Sequence, residues 1–326
     1  MKIFLTIPSW TTPHGGLRVI MEWANRLTKW HEVYLYNLKP ERPCDWFEIK
    51  PEVKICDIQA LWECDCVIFT SPHDVHLFDM VLPHQKVFTF LQMMEHLFQP
   101  TNPAWLSDCK KFYTSPYPMF SISEWNMDWM QNKFGRTGEL IYIGDGVNFD
   151  DFPIEHTEKD GTTVLIEGWQ AGNPSKDRDN ITHEVAAWLQ KDGYKIVAYG
   201  AVRNVTDRRI LFDYHCKPSI KLLNQLYSQA TILIKATLYD ARACAPMEAM
   251  SKGTVTARAI MHGDDDLIHG ENCLKCGYDK DQLYRNAKEL LTNHELRKRL
   301  ANNCIEYVRK YNWDYWMGII NNRLIK

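Results

Sequence analysis

At 326 residues the chain is long enough for two domains of about 150 residues each. Its 45% hydrophobic and 24% charged content is that of a globular protein with a packed core, not a disordered or fibrous one. The net charge of −3 excludes a general basic field for nucleic acid, and residues 1–150, with 13 basic and 18 acidic side chains, disfavour a polyanionic acceptor there.

Lys2–Ile7 is short, apolar and β-branched, and predicts a first strand. Pro8–Gly16 is a loop ending in Gly15-Gly16, after which Leu17–Trp30 places Val19, Ile20, Trp23, Ala24 and Leu27 on one helical face. A glycine pair between strand and helix lets backbone amides approach a phosphate, although such pairs are also common in plain turns. His31–Tyr36, Cys66–Thr70 and Lys86–Leu91 read as further strands. The second of these runs into His73 and Asp74, the third into Glu95 and His96. Functional residues of open α/β sheets gather at such carboxyl ends. Lys111–Ser115 and Glu139–Ile143 also read as strands, with a helix over 123–134 between them. The periodicity lapses near 150–162, which marks a domain boundary.

The alternation then restarts with a strand at Thr163–Glu167, a Gly/Pro loop from Gly168 to Lys176 and a helix near 180–191. Tyr194–Tyr199 is a strand, Lys217–Ser228 a helix, and Ala230–Ile234 an apolar strand that feeds the stretch Thr237–Gly253. There Asp240 precedes a helix that Pro246 opens, since proline suits the first helical position, and Glu248 lies in its first turn. Acids at a strand-to-helix junction repel phosphate and bind hydroxyls, so the pair points to a sugar or a ribose. Otherwise Glu248 merely balances the helix dipole. Thr254–Ala257 resumes the sheet. Asp264-Asp265-Asp266 reads as a solvated loop, and helices at 279–292 and 294–310 follow.

Cys64-x-Cys66 and Cys273-x-x-Cys276 are the only close pairs among ten cysteines. They lie in different halves with no histidine spacing to complete a zinc site, so free thiols in a reducing cytoplasm are expected. No apolar stretch approaches 18 residues, which excludes a spanning helix and leaves peripheral membrane contact open.

The acids eight apart, with Ala249-Met250 and Gly253, resemble the paired-acid signature of family-four GT-B glycosyltransferases. So do the Gly15-Gly16 loop followed by "His-Glu-Val" at 31–33, the turn Gly144–Asn148 and the run His262–Asn272. The resemblance implies an α/β architecture of two Rossmann-like domains facing a cleft. Residues 1–155 would take the acceptor and 156–310 the donor, and 311–326 would pack back on the N-terminal domain. It implies transfer from a nucleotide-diphosphate sugar, with retention of configuration and no metal or other cofactor. Asp240, His73 and Lys176 would then be catalytic. Gly15, Gly16, Lys176, Arg178, Asp240, Ala245 and Glu248 would bind donor, Asp240 at the sugar, Glu248 at the ribose and Lys176 at the phosphates. His96 is a rival to His73.

The acceptor stays open among a glycan, a lipid-linked glycan, a small molecule and a modified nucleobase. Three departures stand out. Ala241 and Ala243 occupy places usually held by glycine, which is costly if φ must be positive, and Trp169 stands where an arginine is usual. They keep open a non-catalytic binding protein of this fold, beside a phosphorylase or epimerase and an enzyme acting on a modified base in DNA.

Overall fold

Apolar runs rich in Val, Ile, Leu and Phe, separated by amphipathic helices, build two parallel sheets. The computed structural model describes residues 1–11, 13–39, 43–167, 176–201 and 213–326. The chain divides into two units, Met1–Asp145 with Asp314–Lys326, and Gly146–Trp313.

The first unit contains β1 (Lys2–Ile7), α1 (Gly15–Leu27), β2 (Glu32–Asn37), β3 (Val53–Cys56), β4 (Cys66–Phe69), β5 (Lys86–Leu91), α2 (Pro103–Tyr113), β6 (Met119–Ser121), α3 (Glu124–Asn132) and β7 (Leu140–Tyr142). The seven strands lie in the order β3-β2-β1-β4-β5-β6-β7. The predicted face of α1 is buried, and so are Met21, Glu22 and Asn25 outside it. Trp23 stacks on Phe90 at 4.2 Å. Elsewhere Phe4, Phe69, Phe112 and Tyr113 share a cluster with Trp105.

Lys111–Ser115 is not a strand. Asn102 caps α2 by accepting from the Trp105 N–H, and Pro103 opens it. Trp105, Cys109 and Phe112 then recur at helical spacing on its buried side, which carries the helix to Tyr113.

The second unit contains β8 (Thr163–Glu167), α4 (Ile181–Lys191), β9 (Lys195–Gly200), β10 (Asp213–Cys216), α5 (Ile220–Gln229), β11 (Ile232–Asp240), α6 (Cys244–Met250), β12 (Val255–Gly263), β13 (Cys273–Cys276), α7 (Lys280–Thr292) and α8 (His294–Val308). Its strand order is β10-β9-β8-β11-β12-β13. Two strands are longer than their apolar runs. β11 continues from Ile234 through to Asp240, and β12 from Ala257 through to Gly263, because charged side chains inside them are buried and paired. Pro246 is the third residue of α6 rather than the first. Cys273 and Cys276 belong to a strand, where positions three apart face opposite ways, and burial pushes their thiols up to about 12 and about 11.

The last helix, α9 (Trp313–Ile325), begins at the final residue of the second unit and otherwise belongs to the first. There His31 Nε2 meets Asn321 Oδ1 at 2.7 Å and Lys86 donates to the Leu324 carbonyl at 3.2 Å. A Cβ on Gly144 would come within 2.4 Å of Trp316, and one on Gly146 within 2.2 Å of Trp313. Close approach of two indoles therefore requires glycine at both positions.

Candidate functional site

Each sheet reverses its winding once, between β1 and β4 in the first unit and between β8 and β11 in the second. In open α/β sheets ligands bind beyond the strand carboxyl ends at such a reversal. Of the expected site residues, Gly15, Gly16 and His73 follow strands flanking the first reversal, and Lys176, Asp240 and Glu248 follow strands flanking the second.

Asp240 closes β11 and is buried. Its Oδ1 lies 3.7 Å from Lys176 Nζ, and its Oδ2 lies 3.3 Å from Arg258 Nη2 and 3.8 Å from Lys235 Nζ. Lys235 also pairs with Glu167 at the end of β8, and Arg258 with Asp264. Three cations thus face three carboxylates around the end of one central strand. Burial works against the Lys235 ammonium, but Glu167 and Asp240 outweigh it and raise its pKa. Burial raises the Asp264 carboxyl, Asp240 adds to the effect, and the Arg258 guanidinium does not offset them.

Asp264 also stands at φ +57, the left-handed region, with its N–H donating to the Asp240 carbonyl at 2.8 Å. That backbone reversal is uncommon for a residue with a side chain and costs energy, so the surrounding contacts must hold it. The three consecutive acids are accordingly not a solvated loop. Asp264 belongs to Arg258. Asp266 is buried against Arg242, which also stacks on Tyr311 at 4.3 Å, and it accepts from the Tyr307 and Tyr311 hydroxyls. Burial opposes the Asp266 charge, but Arg242 and the two hydroxyls hold its pKa below the ordinary value. Only Asp265 is exposed.

Lys176 is fixed by main chain, its carbonyl accepting from the Leu238 N–H at 2.7 Å. Next to it the buried Asp177 accepts from the N–H groups of Ile181 and Thr182, both at 2.9 Å, and so tethers this segment to α4. Arg178 points elsewhere and pairs with Asp179 at 3.4 Å on an exposed surface. Gly168 and Trp169 lie outside the described residues.

Glu248 and Ala245 are both buried on α6, and Glu248 Oε2 accepts from the Tyr227 hydroxyl at 3.0 Å. Neither Ala241 nor Ala243 has positive φ, and Ala243 is extended at φ −92. The loop between the acids therefore accommodates alanine without backbone strain. Arg242, held by Asp266 and Tyr311, anchors it.

In the first unit, α1 begins with the Gly16 N–H donating to His14 Nδ1 at 3.2 Å, and a Cβ on Gly16 would come 3.1 Å from Gln92 Oε1. His73 is exposed on one side, its ring tilted against Trp105 at 4.5 Å, and partial burial lowers its pKa. His96 is packed among Tyr113, Trp129 and Phe134 at 5.7, 5.3 and 5.2 Å, and burial lowers its pKa. Asp74, beside His73, is wholly buried, and its Oδ2 accepts from the Thr6 hydroxyl at 2.7 Å and the Thr70 and Ser71 N–H groups at 2.8 and 2.9 Å. It is a structural cap. Sequence reasoning missed Lys235, Arg258 and Tyr227; the visible signal was a lone charge inside each of two strongly β-forming runs.

No family model matches the chain, and no curated protein matches it by sequence. Solved structures do. A sucrose-phosphate synthase from Thermosynechococcus elongatus is similar at a TM-score of 0.80 and 14% identity over 99% of both chains. Anabaena HepE in complex with UDP-glucose is similar at 0.78 and 11%, again over 99% of both. The chain has the GT-B fold. WaaG, a glycosyltransferase of lipopolysaccharide biosynthesis, matches at 0.71 and 13% over 99% of both chains, so the GT-B likeness extends across both units.

Proposed function

We propose that this GT-B chain is a glycosyltransferase that moves a sugar from a nucleotide-diphosphate sugar to an acceptor with retention of configuration. The observation that carries the reading is Asp240, which closes a central strand at the winding reversal of the second sheet. Lys176 Nζ lies 3.7 Å from it, and the second acid, Glu248, sits on the helix that follows. Sugar transfer with a diphosphate leaving group needs a cation for the developing phosphate charge and acceptors for hydroxyls. Lys176 supplies the first, Asp240 and Glu248 the second.

Without donor, Lys176 and Asp240 balance one another. A bound diphosphate would draw Lys176 to itself and release Asp240 Oδ1 for a sugar hydroxyl. Glu248 would hold the ribose. As the bond from the anomeric carbon to the diphosphate oxygen lengthens, the acceptor hydroxyl attacks the same face, and the diphosphate leaves with the electron pair and takes up the proton that the hydroxyl loses. His73, more exposed than the partly buried His96, is the histidine we assign to the sugar or acceptor. The unstrained Ala241 and Ala243 remove one ground for a non-catalytic protein.

We also propose that the reaction needs no metal ion, because Asp264 and Asp266, the acids at Asp-x-Asp spacing, are each occupied by an arginine. UDP-glucose is the first donor to try, since HepE binds it.

The test is a thermal-shift panel of UDP-glucose, GDP-mannose, ADP-glucose and TDP-glucose, followed by donor hydrolysis with and without EDTA. A ligand at 100 times its Kd adds about 2.7 kcal/mol. Stabilisation by one member and EDTA-insensitive release of its diphosphate are expected, with the anomeric configuration of the transferred sugar read by NMR. No stabilisation by any member would overturn the donor reading, and activity abolished by EDTA and restored by manganese would overturn metal independence.

A further inference from the structure

The charged and hydroxyl side chains behind the two acids are not scattered. Glu167 is in register with Tyr199, Lys235 with Arg258, and Arg258 with Lys275. Ile166 pairs with Ile234, so Glu167 and Lys235 are the next neighbours along that ladder, where they form their ion pair. Five adjacent strands thus contribute Tyr199, Glu167, Lys235, Arg258 and Lys275 to one transverse row. Residues in register on parallel strands point to the same face.

Central strands of a parallel sheet, covered on both faces, are ordinarily apolar throughout. Charges there are costly, and buried ion pairs are weak devices for stability compared with apolar packing of similar size. The row has identifiable beneficiaries. Lys235 and Arg258 converge on Asp240 Oδ2, and Arg258 is itself held by the Thr237 hydroxyl at 2.8 Å and by Asp264, whose carbonyl accepts from Lys275 at 3.1 Å. At the other end Tyr199 Oη lies 3.0 Å from Tyr227 Oη, and Tyr227 donates to Glu248. Among the described residues this row carries two distinct supports, a cationic one under Asp240 and a neutral hydroxyl one under Glu248.

We propose that this row is a positioning layer for the donor: Arg258 and Lys235 fix Asp240 for the sugar, and Tyr227, backed by Tyr199, fixes Glu248 for the ribose. The inference rests on the donor reading above and adds residues that touch no ligand themselves. Because the supports are separate, they are separable in a binding experiment. A sugar-side support affects only the whole nucleotide-sugar, whereas a ribose-side support affects the free diphosphate as well.

The experiment titrates the full chain calorimetrically with UDP and UDP-glucose, or with the corresponding pair for whichever panel donor binds. Asp240→Asn and Glu248→Ala come first and establish the two halves: the former should weaken only the nucleotide-sugar, the latter both ligands. If these acids do not separate, the donor reading itself fails. Given that separation, Arg258→Lys, which keeps the charge and loses the fork, should weaken nucleotide-sugar binding about tenfold and leave the diphosphate within about twofold. Thr237→Val, trimming only the hydroxyl that Arg258 binds, should shift the same ligand in the same direction and does not depend on Arg258→Lys folding. Tyr227→Phe should weaken both ligands alike, by about three- to tenfold. The acids separating while Arg258→Lys and Thr237→Val change both ligands equally, or neither, would overturn the positioning layer. So would Tyr227→Phe leaving UDP binding intact.

Discussion

Around the winding reversal of the first sheet, Asp74 is held through Oδ2 by Thr6 and two amides while its buried Oδ1 has no hydrogen-bond partner among the described residues, and His96 sits among aromatic rings. Around that of the second, Lys176, Lys235 and Arg258 meet Asp240, Glu167 and Asp264 at the end of one strand. The first arrangement is an apolar core with capped loops. The second spends buried charge to fix one carboxylate. Under the proposed function the charged donor is assigned to the second unit, because a buried ion pair can exchange one partner for a charged ligand and an apolar core has none to exchange.

The largest expected effect comes from removing the shared cation. Arg258→Met leaves Asp240 and Asp264 buried without it and should cost about 3–5 kcal/mol, read as a drop in the thermal midpoint. The same change at Lys54, an exposed cation of the first unit paired with Glu32, should leave the midpoint unchanged. Equal shifts would erase the contrast between the units.

Next comes Lys176→Ala. Leaving-group charge develops in the transition state, so kcat should fall about a hundredfold, with a smaller rise in donor KM. Wild-type kinetics would assign Lys176 to Asp240 alone.

The smallest effect concerns Asp74, whose carboxyl burial raises to about 6 from 3.8, against the pull of its hydrogen bonds. The folded state then holds that proton more tightly than the unfolded chain. Its contribution to stability is present at low pH and is lost as pH rises from about 4 through 6. Relative to Asp74→Asn, the wild-type midpoint should therefore decline between pH 4.5 and 7.5. A constant difference across that range would show that the three hydrogen bonds keep the carboxylate ionised.

The sequence made most of the architecture legible, because period-2 and period-3.6 patterns survive wherever a face is simply buried. β1, β5 and β8 fall at their expected bounds, and the expected face of α1 is buried, although its burial extends beyond that face. The reading failed where local chemistry overrode composition. Lys111–Ser115 resembles a strand until Asn102 and Pro103 are seen to start a helix that runs into it. The apolar runs of β11 and β12 stop at Lys235 and Arg258, since a charge ordinarily ends a strand, but here Lys235 is neutralised by Glu167 and Arg258 by Asp264, just beyond its own strand. Glu167 stands 68 positions from Lys235, a pairing that no local pattern reveals. The acids Asp240 and Glu248 were legible from spacing and resemblance, but the residues that hold them were not, because support is a property of the register between strands.

In the proposed function Asp240 acts on the sugar of a bound donor and Glu248 on its nucleotide. The most direct test is single-turnover donor cleavage by Asp240→Asn, with diphosphate binding measured on the same preparation and folding checked by circular dichroism. Diphosphate affinity within about twofold of wild type and cleavage slower by about a hundredfold or more are expected. Normal cleavage by Asp240→Asn, or loss of diphosphate affinity in parallel with cleavage, would contradict it.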